Sequence, residues 1–258
     1  MVQETFSLFG MTFQFYDLFF VIGFIGVFSY LLAVSKKYEI AKWKTVVFTV
    51  LVYGASFAWM FVLYWMDTGY FGGNNIVRVF WWLGVFVFPV SLLLKEDYFK
   101  CLDFVAPCLC INHGLAHFGC LFKGCCHGYA CSFGSFSNIA GEVCFPTQII
   151  EAVVALAIAA YIWLRERKKG YGKGIDGLSF PIMLMLFGYS RFFLEFFRAP
   201  LEGNTPLFYF SKAHFLFDAP TLYISQLQVH ALLNGVIGTV AYFIIKKYFK
   251  NKQAAAEK

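Results

Sequence analysis

Charged side chains are scarce: only 14% of the 258 residues are Asp, Glu, Lys or Arg. A soluble domain carries roughly 25%, so a chain with a hydrated surface of ordinary size is excluded. A Gly-rich phosphate loop ahead of a helix is missing, which argues against nucleotide binding. Cys-x-x-Cys is missing too, which weakens a thiol-redox reading. The opening residues, MVQETFSLFG, lack the basic stretch that precedes a cleavable signal segment, so the first apolar run is expected to stay in place. Low-complexity tracts and internal repeats are also lacking.

What remains is hydrophobic: 60% of the chain, with 21% aromatic. Apolar runs fall at 15–34, 44–66, 77–94, 101–122, 147–164, 177–197 and 222–245. A hydrocarbon core about 30 Å thick takes roughly 20 helical residues. The runs are continuous and not alternating, which favours helices over a barrel. The expectation is a single all-α domain over 1–258, a polytopic membrane protein with seven transmembrane helices.

Basic residues orient it. Segments 35–44, 95–100, 165–176 and 246–258 hold sixteen Lys and Arg, against four in the N-terminus and segments 67–78, 123–146 and 198–221. Positive charge stays on the cytoplasmic side. The N-terminus is therefore expected outside, 123–146 as an extracytoplasmic loop and 246–258 as a cytoplasmic tail. The formal charge of +6 is an orientation signal, and no nucleic-acid partner is expected.

On that topology the intramembrane polar residues gather toward the outer leaflet: Tyr16 and Asp17, His117 above Asn112 and His113, Gln148 and Glu151, then Arg191, Glu195 and Arg198. Ionisable groups in lipid are costly and mark sites or pathways. Arg191, Glu195 and Arg198 are spaced i, i+4, i+7, so they are expected to share one helix face. A guanidinium pair with one carboxylate suits an outer-leaflet phosphate, since Arg donates in a bidentate fork. The bland readings are structural pairing for this triplet, interhelical hydrogen bonding for His230 and Asn234, and an aromatic belt for Tyr16.

At these residues the chain resembles the bacterial prolipoprotein diacylglyceryl transferases. The similar stretches are FSLFGMTFQFYDLFFVIGFIG, LDFVAPCLCINHGLAHFGC, FPTQIIEA at 145–152, GYSRFFLEFFRAP at 188–200 and YISQLQVHALLNGVIG with Gln226. The resemblance implies a reaction in which the diacylglyceryl group of phosphatidylglycerol passes to the lipobox cysteine of a prolipoprotein, and glycerol phosphate leaves. It implies a multi-pass protein of the bacterial cell membrane, with phosphatidylglycerol and a prolipoprotein signal peptide as partners and no cofactor. Arg191 and Arg198 would hold the head group, with Glu195 holding the arginines. Gln148, Glu151 and Tyr16 would position substrate, with Gly119 among the retained positions.

Departures fall on the proton-handling half. Phe88-Pro89-Val90 stands where the family has His-Gly-Gly, and Phe145 replaces the His of His-Pro-x-Gln. In AHFGCLFKGC the family's Arg, Asn and Glu positions are His117, Cys120 and Cys125. His117 becomes the candidate base, with Lys123 supplying charge.

The stretch GCLFKGCCHGYAC lies at 119–131. Cys120, Cys125, Cys126, Cys131 and Cys144 are expected on the oxidising side. One or two disulfides lead the expectations. The spacing Cys-x4-Cys-Cys-x4-Cys fits no standard zinc pattern, so no metal is assigned; a metal site joined by His127, or a reactive thiol, are the alternatives. Rival functions are another acceptor, a thiol-redox or metal-binding membrane protein, and a transporter.

Overall fold

Each apolar run forms helix, and one of them is broken. The structure, a computed structural model, describes residues 4–9, 11–70, 76–78, 80–171, 175–200, 206–211 and 222–256. The helices are α1 (Phe15–Ser35), α2 (Lys42–Thr68), α3 (Phe80–Leu94), α4 (Tyr98–Val105), α5 (Cys108–Lys123), α6 (Thr147–Lys169), α7 (Ser179–Leu194) and α8 (Gln226–Ala256). Among the described residues, six stretches are long and apolar enough to cross a membrane, with α4 and α5 counted together, and α3 is shorter. Exposed Val21, Ile25, Val50, Leu92, Leu93, Val153, Val240 and Ile244 give the helices apolar outer faces. A soluble surface rarely carries so much contiguous apolar area; this is a mostly helical membrane protein.

The run at 101–122 divides at Ala106–Pro107, because proline lacks the N–H a continuing helix needs. Both residues keep right-handed helical angles, so the chain kinks and carries on. This kinked span is also the most enclosed. The span Tyr98–Lys123 is 72% buried inside the protein, against 28–44% for the other five. A central, lipid-shielded helix is where Asn112, His113 and His117 are tolerable.

The fold is not purely helical. Antiparallel hairpins β1–β2 (Thr5–Leu8, Met11–Gln14), β3–β4 (Ala130–Ser137, Glu142–Cys144) and β5–β6 (Pro206–Ser211, Leu222–Ser225) lie where α1, α6 and α8 begin. The seventh run was expected to be helical from 222, yet Leu222–Ser225 is strand and α8 starts at Gln226. A capping box sets that start. Ser225 Oγ accepts from the Gln228 N–H at 3.1 Å, and Gln228 Oε1 accepts from the Ser225 N–H at 2.8 Å, which satisfies two otherwise orphaned donors. The expected outer segment 198–221 is described only in part, and residues 201–205 and 212–221 lie outside the described residues. Within the expected tail, α8 continues to Ala256, and 257–258 also lie outside.

Two close approaches hold the bundle. A Cβ on Gly188 of α7 would sit 2.3 Å from the Gly235 nitrogen of α8, so these backbones touch only because Gly188 lacks one. At the far end, Asp103 accepts from the Ser179 N–H at 3.0 Å and pairs with Lys169 at 3.1 Å. Tyr38 donates to Glu166 at 2.6 Å. This buried network ties the turn after α1 to α4, α6 and α7, away from the hairpins.

Candidate active site

Helix α5 stops at Gly124, whose φ of 75° suits the left-handed residue after a helix. The chain then reverses through Cys125 and Cys126 and later enters α6 at Thr147. The first turn of α6 catches the reversal. Thr147 Oγ1 donates to the Cys126 carbonyl at 2.6 Å, and Gln148 Nε2 donates to the Cys125 carbonyl at 2.9 Å. One helical turn on from Gln148 stands Glu151.

Glu151 is the centre of a charged cluster. Its Oε2 lies 2.7 Å from His117 Nε2 and 2.6 Å from Arg198 Nη2, while Oε1 lies 3.1 Å from Arg191 Nη1. Glu195 bonds Arg191, and its Oε2 is 3.6 Å from Arg198 Nε. His113 packs edge-on to His117, with ring centroids 4.4 Å apart. Ser225 Oγ reaches Glu195 at 3.5 Å. None of His113, His117, Gln148, Glu151, Arg191, Glu195 or Arg198 is more than 6% exposed.

The expected single helix face for Arg191, Glu195 and Arg198 needs correction. Helix α7 ends at Leu194, Glu195–Phe197 tightens into a 3-10 turn, and Arg198 is extended. Pro200 bars the α conformation just ahead of it. The 127–129 loop then captures the freed backbone: the Ala199 N–H donates to the His127 carbonyl at 3.1 Å and the Tyr129 N–H to the Phe197 carbonyl at 3.3 Å. Arg198 still meets Arg191 at Glu151, from loop instead of helix.

The four charges cancel: two guanidiniums face two carboxylates. Their hydrogen-bonding capacity is not exhausted. Arg191 Nε and Arg198 Nε are buried without a hydrogen-bond partner, so one donor of each guanidinium remains for an incoming anion. Beside them is a small cavity of about 10 Å³, room for about one water, lined by His113, Glu151, Val154, Phe187, Arg191 and Leu194, among others. Val154, Ser190 and Leu194 of this lining are partly exposed, so the space opens sideways between α6 and α7.

Tyr16 and Gly119 meet where α1 packs on α5. A Cβ on Gly119 would stand 3.0 Å from the Tyr16 backbone, so this glycine allows α5 to close on α1. Lys123 Nζ lies 4.9 Å from the Tyr16 ring centroid, a cation–π contact.

All eight cysteines are free thiols. Cys120, Cys125 and Cys126 come together, their sulfurs within 4.8 Å of one another. Cys144 lies on β4 opposite Ala130 of β3, next to Cys131 in sequence. Hydrogen bonds from Cys120 and then Cys125 hold the Cys126 thiol well below its ordinary range; burial opposes this, and Arg198 and His117 reinforce it. Two further donor sets are equally close, His113–His117–Glu151 and Asp103–Glu166–Asp176. Arginines occupy the first and Lys169 the second, so a dication would meet cations in either.

Sequence reasoning missed Ser225 and Gln228 as members of the site's frame. The signal was present in Ser-x-x-Gln, hidden inside an apolar run. Asn234, read as an interhelical partner, donates to the Val77 carbonyl at 2.8 Å.

A membrane-embedded bundle that encloses an arginine–carboxylate–histidine centre defines the class: an integral membrane protein with a buried charged centre inside its helices. The chain belongs to the prolipoprotein diacylglyceryl transferase family, whose model matches residues 3–245. It is 28% identical over 192 residues to the phosphatidylglycerol–prolipoprotein diacylglyceryl transferase 2 of Clostridium perfringens (strain 13 / Type A), covering 71% of this chain and 68% of that protein. Over 121 residues it is 28% identical to the phosphatidylglycerol–prolipoprotein diacylglyceryl transferase of Clostridium tetani (strain Massachusetts / E88), covering 43% of this chain and 46% of that protein.

Proposed function

We propose that this protein is a transferase of lipoprotein biosynthesis, moving the diacylglyceryl group of phosphatidylglycerol onto a prolipoprotein cysteine. Family membership and the relatives' names support the activity. The observation that carries the reading for this chain is that Arg191 Nε and Arg198 Nε lie buried without a hydrogen-bond partner beside a small cavity between α6 and α7. Phosphate oxygens are acceptors that match guanidinium forks.

In this reading Arg191 and Arg198 grip the phosphodiester and steady the charge that develops as it departs. Glu151 and Glu195 hold the two guanidiniums in place. His117, 2.7 Å from Glu151, takes the proton of the acceptor thiol. Sulfur then bonds the glycerol carbon, the carbon–oxygen bond to phosphate breaks, and glycerol phosphate leaves with the bonding pair. Gln148 shapes the wall from which Glu151 projects.

Seven crossings follow if α3 completes the set, inserted between the longer spans. The basic segments support an N-terminus outside and a C-terminus in the cytoplasm of a bacterial cell, which turns the site to the outer leaflet. Labelled phosphatidylglycerol and a lipobox peptide, incubated with purified wild-type protein and Arg191→Ala, test the function. Label should reach the peptide thiol with wild type and fall at least a hundredfold in the variant. Wild-type protein that binds the lipid and transfers nothing would refute it.

A further inference from the structure

We propose that Cys120, Cys125 and Cys126 form a zinc site that takes the acceptor thiol as fourth ligand and presents it to the lipid as a thiolate. This deepens the transferase reading and rests on it.

The donor geometry fits. The three sulfurs lie within 4.8 Å of one another. Zinc–sulfur bonds of about 2.3 Å in a tetrahedron set sulfurs about 3.8 Å apart, a closure that side-chain rotation supplies. Structural zinc sites take four protein ligands, whereas catalytic ones take three and leave a position for substrate. Among the described residues, this is the cysteine set that offers three.

The frame is rigid. Cys120 sits in the last turn of α5. The carbonyls of Cys125 and Cys126 are held by Gln148 at 2.9 Å and Thr147 at 2.6 Å. Gly124, with φ 75°, has the Asn138 nitrogen only 2.7 Å from where a Cβ would be, so the turn that swings the two cysteines back toward Cys120 closes tightly. Sites held this way keep their ligands positioned before the metal arrives.

The location fits as well. His117 is three residues before Cys120, and Glu151 three after Gln148, so each pair spans one helical turn. Arg198 is fixed to the same loop through Ala199 and His127. The three sulfurs and the phosphate clamp therefore share a single framework. Three thiolates and Zn²⁺ leave one negative charge, and Arg198 lies within charge–charge range of Cys126 and Cys120. The two other donor sets already hold arginine or lysine.

The chemistry closes without an oxidant. A free thiol ionises near pH 8.5, and coordination to zinc deprotonates it outright. Its proton passes to His117. The coordinated sulfur attacks the glycerol carbon as the carbon–oxygen bond to phosphate breaks. The bonding pair leaves on phosphate oxygen, and His117 returns the proton to the departing glycerol phosphate. The thioether, neutral and a poorer ligand than a thiolate, then gives up its place on zinc.

The test uses reduced, metal-free full-length protein in detergent. Titrated Co²⁺ should bind at one per chain with sulfur-to-cobalt absorption in the near ultraviolet, and Zn²⁺ should displace it. Cys120→Ser and Cys125→Ser should each abolish the band, while Cys131→Ser keeps it. Lipobox peptide should strengthen the band as a fourth sulfur binds, and a Cys→Ala peptide should not. Lipid transfer should drop at least tenfold on metal removal and return with Zn²⁺. Absence of the band in wild type, transfer at an unchanged rate in metal-free protein, or a disulfide among the three in protein extracted with thiols blocked would each overturn the proposal. A band that responds to peptide without any transfer supports the thiol-binding site and sinks the transferase reading instead.

Discussion

Gln148 Nε2 donates to the carbonyl of Cys125 across 2.9 Å, with Gln148 only 1% exposed. Together with the bond from Thr147 to the Cys126 carbonyl, it joins the start of α6 to the cysteine turn at the end of α5, and so fixes where Glu151 stands relative to the thiols.

Gln148→Ala should therefore leave a buried carbonyl unsatisfied, at a cost of about 1–3 kcal/mol. Thermal unfolding in detergent should register the loss. Transfer should fall with it, and Gln148→Glu, which offers an acceptor to an acceptor, should not restore either.

Arg191→Lys and Arg198→Lys keep the charge and lose the fork. Each should lower transfer by tenfold or more, because the lost alignment is to phosphate as well as to Glu151. Glu151→Gln should be worse for stability, by about 3–5 kcal/mol, since it leaves two buried guanidiniums with one carboxylate. Denaturation curves of the three variants would show that order.

Helix pairing depends on Gly188. The Cβ of Gly188→Ala would be 2.3 Å from the Gly235 nitrogen, backbone that cannot swing aside. Overpacking of about 1–3 kcal/mol is expected, and Gly188→Val should exceed it. A lowered melting temperature for both, with Gly54→Ala unchanged as the control, is the measurement; nothing lies within 4 Å of a Cβ at Gly54.

Much of the fold was legible because a membrane span is a local property: twenty apolar residues announce themselves without knowledge of their neighbours. The division at Ala106–Pro107 was missed: the run 101–122 was taken as one helix, although a proline inside a helix marks a kink. The three hairpins were missed too, since strands of 4–8 residues such as Thr5–Leu8 and Ala130–Ser137 look like ordinary loop. Arg191, Glu195 and Glu151 were singled out from type and depth, and the structure brings the three together. What could not be read was the meeting of Cys120 with Cys126, which requires the left-handed turn at Gly124 and the grip of Thr147. Nor was the exit of Arg198 from its helix foreseen, although Pro200 signals it.

At the opposite end, Glu96 pairs with Lys44 at 2.6 Å and also with Lys100. Burial pushes the carboxyl up, but the bonds from Lys100 and Lys44 outweigh it and hold the group below its ordinary value. A depressed carboxylate stabilises the folded form above its unfolded pKa, about 4.3, and loses that contribution as pH falls through the folded value. Unfolding followed from pH 7 to 3 should show this slope in wild type, and Glu96→Gln should flatten it.

The sideways gap between α6 and α7 has a consequence for what the protein discriminates. A donor that slips in from the bilayer plane need bring only its polar end past Val154 and Leu194, leaving its fatty tails among their neighbours. Selectivity would then be blind to chain length and unsaturation and strict about the anion at the glycerol, so membranes remodelled for cold or heat would be served equally well.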